Sequence, residues 1–141
     1  MATERTVLVV DDHMPMRLLC RSALEAVGMR VTEAADGVEA LESIRRDPPD
    51  LILLDLMLPR LSGWEVAAEL LREPSTDRIP IVFISALTGA AERQRALDLG
   101  EFPYLTKPVD PIALATTVSD LLDRFQRGER ESLLAEVLTD S

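Results

Sequence analysis

The hydrophobic residues of this chain fall into two kinds of block. Thr6–Val10, Leu51–Leu54 and Ile81–Ile84 are short unbroken aliphatic runs bounded by turn residues. Such runs predict strands buried on both faces, as in a parallel sheet. Arg30–Ala34 and Tyr104–Thr106 are shorter candidates, which brings the predicted strands to five. Between the strands, apolar residues recur at helical spacing. Leu18, Leu19, Ala23, Ala26 and Val27 form one such stripe, and Val38, Ala40, Leu41 and Ile44 form a second. A third helix is predicted from Ser62 through Leu71 and a fourth over 90–99. A fifth carries Leu114, Val118, Leu121, Leu122 and Phe125 on one face. Boundary residues agree with these limits. Pro15 suits a first helical turn, Gly28 and Gly100 are helix stops, and Asp110-Pro111 is an N-cap followed by proline. Asp36-Gly37-Val38-Glu39 and Ser62-Gly63-Trp64-Glu65 both have capping-box spacing.

Five strands alternating with five helices predict a doubly wound α/β domain with helices on both faces of a parallel sheet. Five strands suit the flavodoxin-like order 2-1-3-4-5, whose ligand crevice lies at the carboxyl edge beside strands 1 and 3. The domain is expected over residues 1–125. Residues 126–141 form a charged break, Gln126 to Glu131, followed by a short amphipathic segment, Ser132 to Leu138. So short a helix is marginal alone in water. It is expected to dock on its own domain, on a second copy in a homodimer, or on a partner.

Composition narrows the class. The formal charge of −10 argues against non-specific nucleic-acid binding, which requires many cations against phosphate. No apolar run approaches the roughly 20 residues of a membrane span, and no signal-peptide h-region is seen. A lone Cys20 excludes an internal disulfide and fits a reducing, cytoplasmic setting.

The strand ends carry the chemistry. Asp11-Asp12 follow the first strand, Asp55 ends the third, Ser85 the fourth, and Lys107 follows the fifth. Asp is depleted in strands and rarely buried without a partner. Carboxylates crowded at one sheet edge repel each other, so a cation must offset them. Mg2+ fits, as a hard ion bound by one or two carboxylates, water and phosphate. One His and one Cys without ligand spacing fit Zn2+ poorly. Lys107 is the chain's only lysine among fifteen basic residues, which suggests a position that needs a compact point charge. Acids, Mg2+, a hydroxyl and an ammonium make a phosphoryl-transfer site with Asp55 as nucleophile. The same set could serve a Mg2+-dependent hydrolase that passes phosphate to water.

Asp11-Asp12, Asp55-x-x-x-Pro59-x-x-x-Gly63, Ser85-Ala86 and Tyr104-Leu105-Thr106-Lys107-Pro108, in this order, closely resemble the receiver domain of two-component response regulators. The resemblance runs from about Thr6 to Arg124. It implies that Asp55 accepts phosphate from a histidine kinase or phosphotransfer protein. It implies that Asp12, Asp55 and the Met57 backbone carbonyl bind Mg2+, with Asp11 orienting a metal-bound water. Lys107 would contact the phosphoryl group, Ser85 would be the switch hydroxyl, and Tyr104 the aromatic that turns inward. The fourth helix, fifth strand and fifth helix would form the surface for a downstream protein. On this reading the protein is no turnover enzyme: it carries out self-directed transfer and slow self-dephosphorylation. A phosphorylation-independent adaptor on the same fold is the alternative. His13, Glu101-Phe102-Pro103 and Val109 depart from the family's usual residues. Trp64, Phe83 and Cys20 read as core, and His13 as a solvent-facing residue.

Overall fold

A computed structural model describes residues 5–86, 94 and 104–126. Five parallel strands form one sheet in the order β2-β1-β3-β4-β5. They are β1 (Thr6–Val10), β2 (Arg30–Ala34), β3 (Leu51–Asp55), β4 (Ile81–Ser85) and β5 (Tyr104–Thr106). The described helices are α1 (Met14–Glu25), α2 (Gly37–Arg46), α3 (Gly63–Arg72) and α4 (Pro111–Gln126). The helix expected over 90–99 and the segment 126–141 lie outside the described residues, apart from Gln94 and the backbone end of α4.

The two faces of the sheet carry two separate cores, and strand residues alternate between them as the pleat requires. Leu8, Val10, Ile52, Leu54, Ile81 and Phe83 pack with α2 and α3. Val7, Val9, Leu51, Leu53, Val82 and Ile84 pack with α1 and α4. Every residue of β3 and β4 is buried, so the apolar runs correspond to strands with no solvent face. Trp64 and Phe83 meet in the first core with ring centroids 5.5 Å apart, and Cys20 is fully buried in the second.

The caps follow the sequence. Ser62 accepts the Glu65 N–H while the Glu65 side chain accepts the Ser62 N–H, a complete capping box. Asp36 accepts the Glu39 N–H at 2.8 Å. Asp110 accepts the Ala113 N–H at 3.3 Å. Gly28 ends the first helix region with φ of 86°, a conformation that favours glycine.

The face of α1 is corrected. The helix buries Met16, Cys20 and Leu24, with Ala23 at the margin, whereas Leu18 and Val27 are each half exposed. Ala26 and Val27 fall beyond its last residue. The rotation of α1 is set by Arg17 and Arg21, which reach back to β2 and must lie on the sheet side of the helix edge. Leucines displaced onto the outer surface are common enough in folded proteins, because apolar residues outnumber core positions.

Candidate functional site

The alternation of the pleat explains why three distant residues converge. Asp11, Asp55 and Lys107 each stand two positions after a residue of the α1–α4 core, namely Val9, Leu53 and Leu105. They therefore project to the same face of the sheet. Val9 pairs with Leu53, and Asp55 lies level with Ile84, itself level with Leu105. The two aspartates are therefore abreast, and Lys107 begins one pleat further out with a flexible stem that reaches back.

The distances bear this out. Lys107 Nζ lies 2.8 Å from Asp11 Oδ2 and 3.0 Å from Asp55 Oδ2. The other oxygen of each acid accepts a backbone N–H two residues on: Asp11 Oδ1 from His13 at 2.9 Å, Asp55 Oδ1 from Met57 at 3.0 Å. Both acids are buried, at 2% and 4% exposure. Asp12 is exposed, yet one carboxylate oxygen from each of Asp11, Asp12 and Asp55 falls within a group no more than 4.8 Å across. Burial raises the pKa of Asp55, partly offset by the Met57 N–H and by Lys107. At Lys107 burial disfavours the ammonium, but its hydrogen bonds to Asp11 and Asp55 win, and its pKa lies above the ordinary lysine value.

Ser85 is fully buried at the carboxyl end of β4, level with Thr106, and its carbonyl accepts the Lys107 N–H at 3.0 Å. Ser85, the residue expected to supply a hydroxyl between Asp55 and Lys107, lies on the strand between theirs. Tyr104 opens β5 level with Phe83. The orientation of its side chain is outside the described part of the structure. The Met57 side chain is 60% exposed, so the residue faces the site through its backbone. His13 is exposed and forms the N-cap of α1 without a capping hydrogen bond from its side chain.

The loop after Asp55 is pressed between two glycines. A Cβ at Gly63 would stand 2.3 Å from the Asp55 carbonyl oxygen, and one at Gly37 would stand 2.1 Å from that of Leu61. Gly63 N–H also donates to the Leu56 carbonyl at 3.1 Å. Arg60 holds a left-handed φ of 68° and pairs with Asp36 at 3.1 Å. Sequence reasoning missed the Gly37 approach and also Arg17, whose guanidinium donates to the Asp11 carbonyl at 2.8 Å. Arg17 and Arg21 lie one helical turn apart, a spacing that puts them on one helix face without naming their partner on β2.

Three carboxylates in so small a space, with a single ammonium shared by two of them, leave hard oxygen donors that suit a divalent cation such as Mg2+. A buried acid at the crevice of a doubly wound sheet, with a lysine beside it, defines an α/β domain with an acidic pocket at the carboxyl edge of its sheet. Residues 7–119 match the response regulator receiver domain model, and the chain belongs to that family. It is 41% identical to the response regulator PleD of Caulobacter vibrioides over 82% of its length, and spans 25% of that protein. It is 38% identical to the phosphate regulon transcriptional regulatory protein PhoB of Pseudomonas aeruginosa over 91% of its length, spanning 56% of it. The chain thus covers about half the length, or less, of the curated relatives it matches. Among solved structures, chemotaxis protein CheY4 of Vibrio cholerae superposes with a TM-score of 0.78 at 28% identity, covering 84% of this chain and 98% of that one. The Francisella response regulator 1452 receiver domain gives 0.78 at 32%, covering 86% and 99%. No helix among the described residues is long and apolar enough to cross a membrane.

Proposed function

We propose that the chain is a phosphoacceptor whose phosphorylation on Asp55 alters its contacts with other proteins. The observation that carries this reading is the placement of a buried Asp55 within reach of both a lysine ammonium and two further carboxylates. The donor is a phosphohistidine on a histidine kinase or phosphotransfer protein. A carboxylate oxygen of Asp55 attacks phosphorus, the new O–P bond forms as the N–P bond breaks, and the histidine nitrogen keeps the electron pair and takes a proton. Lys107 stays beside the phosphoryl oxygens and offsets their charge. Asp12, Asp55 and the Met57 carbonyl would hold Mg2+, and Asp11 would orient a water beside it. When bound, the ion supplies positive charge against the transferring oxygens. Ser85, on the neighbouring strand, follows the new charge as the switch hydroxyl, and Tyr104 responds to it. The downstream partner is a protein that binds a face to which β5 and α4 contribute. Later hydrolysis of the acyl phosphate returns the domain to its resting state, so the chemistry is directed at the chain itself.

Incubation with acetyl phosphate and Mg2+, followed by intact mass measurement, tests this. Wild type is expected to gain one phosphoryl group and Asp55→Asn none. A wild-type protein that stays unmodified, or an Asp55→Asn protein modified equally, would sink the proposal.

A further inference from the structure

Two of the three clustered carboxylates are held directly. Asp11 and Asp55 each accept hydrogen bonds on both oxygens. Asp12 makes no side-chain hydrogen bond among the described residues, so its carboxylate is placed by its backbone. That backbone leaves the sheet at Asp11. The Asp11 N–H still donates to Ala34 at 3.1 Å, but the last strand pair is Val10 with Ala34, and the Asp11 carbonyl lies past it. Arg17 Nη1 takes that carbonyl at 2.8 Å. Nε of the same guanidinium donates to Glu33 Oε1 at 3.0 Å, with both side chains mostly buried. Arg21, one turn along α1, donates to the second oxygen of Glu33, and to the Val31 carbonyl at 3.0 Å.

The carbonyl of Asp11 and the N–H and Cα of Asp12 lie in one peptide plane. A group that fixes the carbonyl fixes the plane from which the Asp12 side chain departs. We propose that Arg17 is a positioning residue for the Mg2+ site, acting on Asp12 through the Asp11 carbonyl, with Glu33 and Arg21 holding its guanidinium. This rests on the reading that Asp12 and Asp55 hold Mg2+.

Charge and geometry make opposite demands here, which separates them. A guanidinium near an acidic site repels a metal cation, so by charge alone its removal tightens Mg2+ binding. By geometry its removal loosens Asp12 and weakens binding. Outer partners of metal ligands typically contribute about 10- to 100-fold in affinity.

The experiment titrates the metal-free full chain with Mg2+ and follows the backbone amides of residues 11–13 and 55–57 by NMR. Thermal unfolding without metal reports separately on stability. Arg17→Met is expected to weaken Mg2+ binding about tenfold, the low end of that range. Arg17→Lys keeps the charge but loses the planar fork that grips two acceptors. It is expected to weaken binding too, and it carries the test if Arg17→Met does not fold. Arg17→Met with Glu33→Gln is expected to bind no more weakly than Arg17→Met alone, since the residues act in one chain. Wild-type affinity, or tighter binding, in both Arg17 variants overturns the proposal while leaving the Mg2+ reading intact. A wild-type protein whose pocket amides show no saturable response to Mg2+ overturns both.

Discussion

Replacing Lys107 by methionine tests how much of the fold depends on one ammonium. The substitution keeps the length of the side chain and removes its charge. Nζ lies 2.8 Å from Asp11 and 3.0 Å from Asp55, whose side chains are 3% and 5% exposed. At an effective dielectric of about 20, each pair attracts by roughly 6 kcal/mol, most of it offset by the cost of desolvating the charges. Removing one partner of a buried pair exposes that cost, typically about 3–5 kcal/mol. Lys107 is itself 23% exposed, and each acid keeps one backbone N–H, so the low end applies: about 3 kcal/mol at neutral pH. For a chain of this size that is a fall in Tm of about 10 °C. The effect has a definite pH sign. In wild type the pKa of Lys107 is raised, so its contribution is full below the ordinary lysine value and fades only as pH rises through the elevated one. The pKa of Asp55 is raised as well, so stability falls as pH rises from the ordinary carboxylate value through the elevated one. Without Lys107 that elevation grows, because two of the influences lowering it are gone. The penalty of Lys107→Met is therefore expected to be larger at pH 7.5 than at pH 4.5, and to be partly relieved by adding Asp55→Asn. Urea unfolding of the four proteins at both pH values measures it. A penalty under about 1 kcal/mol with no pH dependence, the behaviour of a surface pair, would refute the reasoning.

Three other substitutions or treatments probe the surroundings. Gly63→Ala drives a Cβ to within 2.3 Å of the Asp55 carbonyl oxygen. The expected loss is about 1–3 kcal/mol despite the better helix propensity of alanine, and a rise in the urea midpoint would contradict it. Thr76, 2% exposed, donates its hydroxyl to the Leu70 carbonyl at 2.7 Å just past α3. Thr76→Val should cost about 1–2 kcal/mol, and chemical denaturation without measurable loss would show that the bond contributes nothing. Burial, with help from Asp11, pushes the Cys20 thiol up to about 11. Thiol-specific labelling at pH 8 is expected to be slow in the native protein and stoichiometric after denaturation, and rapid native labelling would contradict the burial.

The strands and the convergence of their ends were legible because both depend on period two. An aliphatic run that stops at an acid declares its burial and its edge together, as Leu51 to Asp55 does. The helix faces were less legible where apolar residues exceed core positions. On α2 the spacing marks Val38, Ala40, Leu41 and Ile44, of which the last three are buried and Val38 is partly exposed. On α1 the same reasoning chose Leu18 and Leu19, because nothing in the spacing shows that Arg17 and Arg21 fix the rotation through Glu33 on another element. Arg17 looks like a residue of a solvated face until β2 lies beside it. The approach of Gly37 to Leu61 was hidden for the same reason, since the first residue of α2 and the loop after β3 meet only after folding.

The two-residue alternation of the strands has a genetic consequence. Deleting or inserting one codon within the last half of β1, β3 or β5 would invert every later side chain of that strand. Asp11, Asp55 or Lys107 would then project toward α2 and α3, and a sequence neighbour would take its place in the crevice. A two-codon change preserves the side but displaces the residue by a full pleat, about 6.5 Å, beyond what even a lysine stem can absorb for two acids at once. Reading-frame-preserving length variation in this gene should therefore be tolerated in the loops away from the crevice and purged from the strand ends. The pocket thus constrains not only which amino acids occur there but how many residues precede each of them.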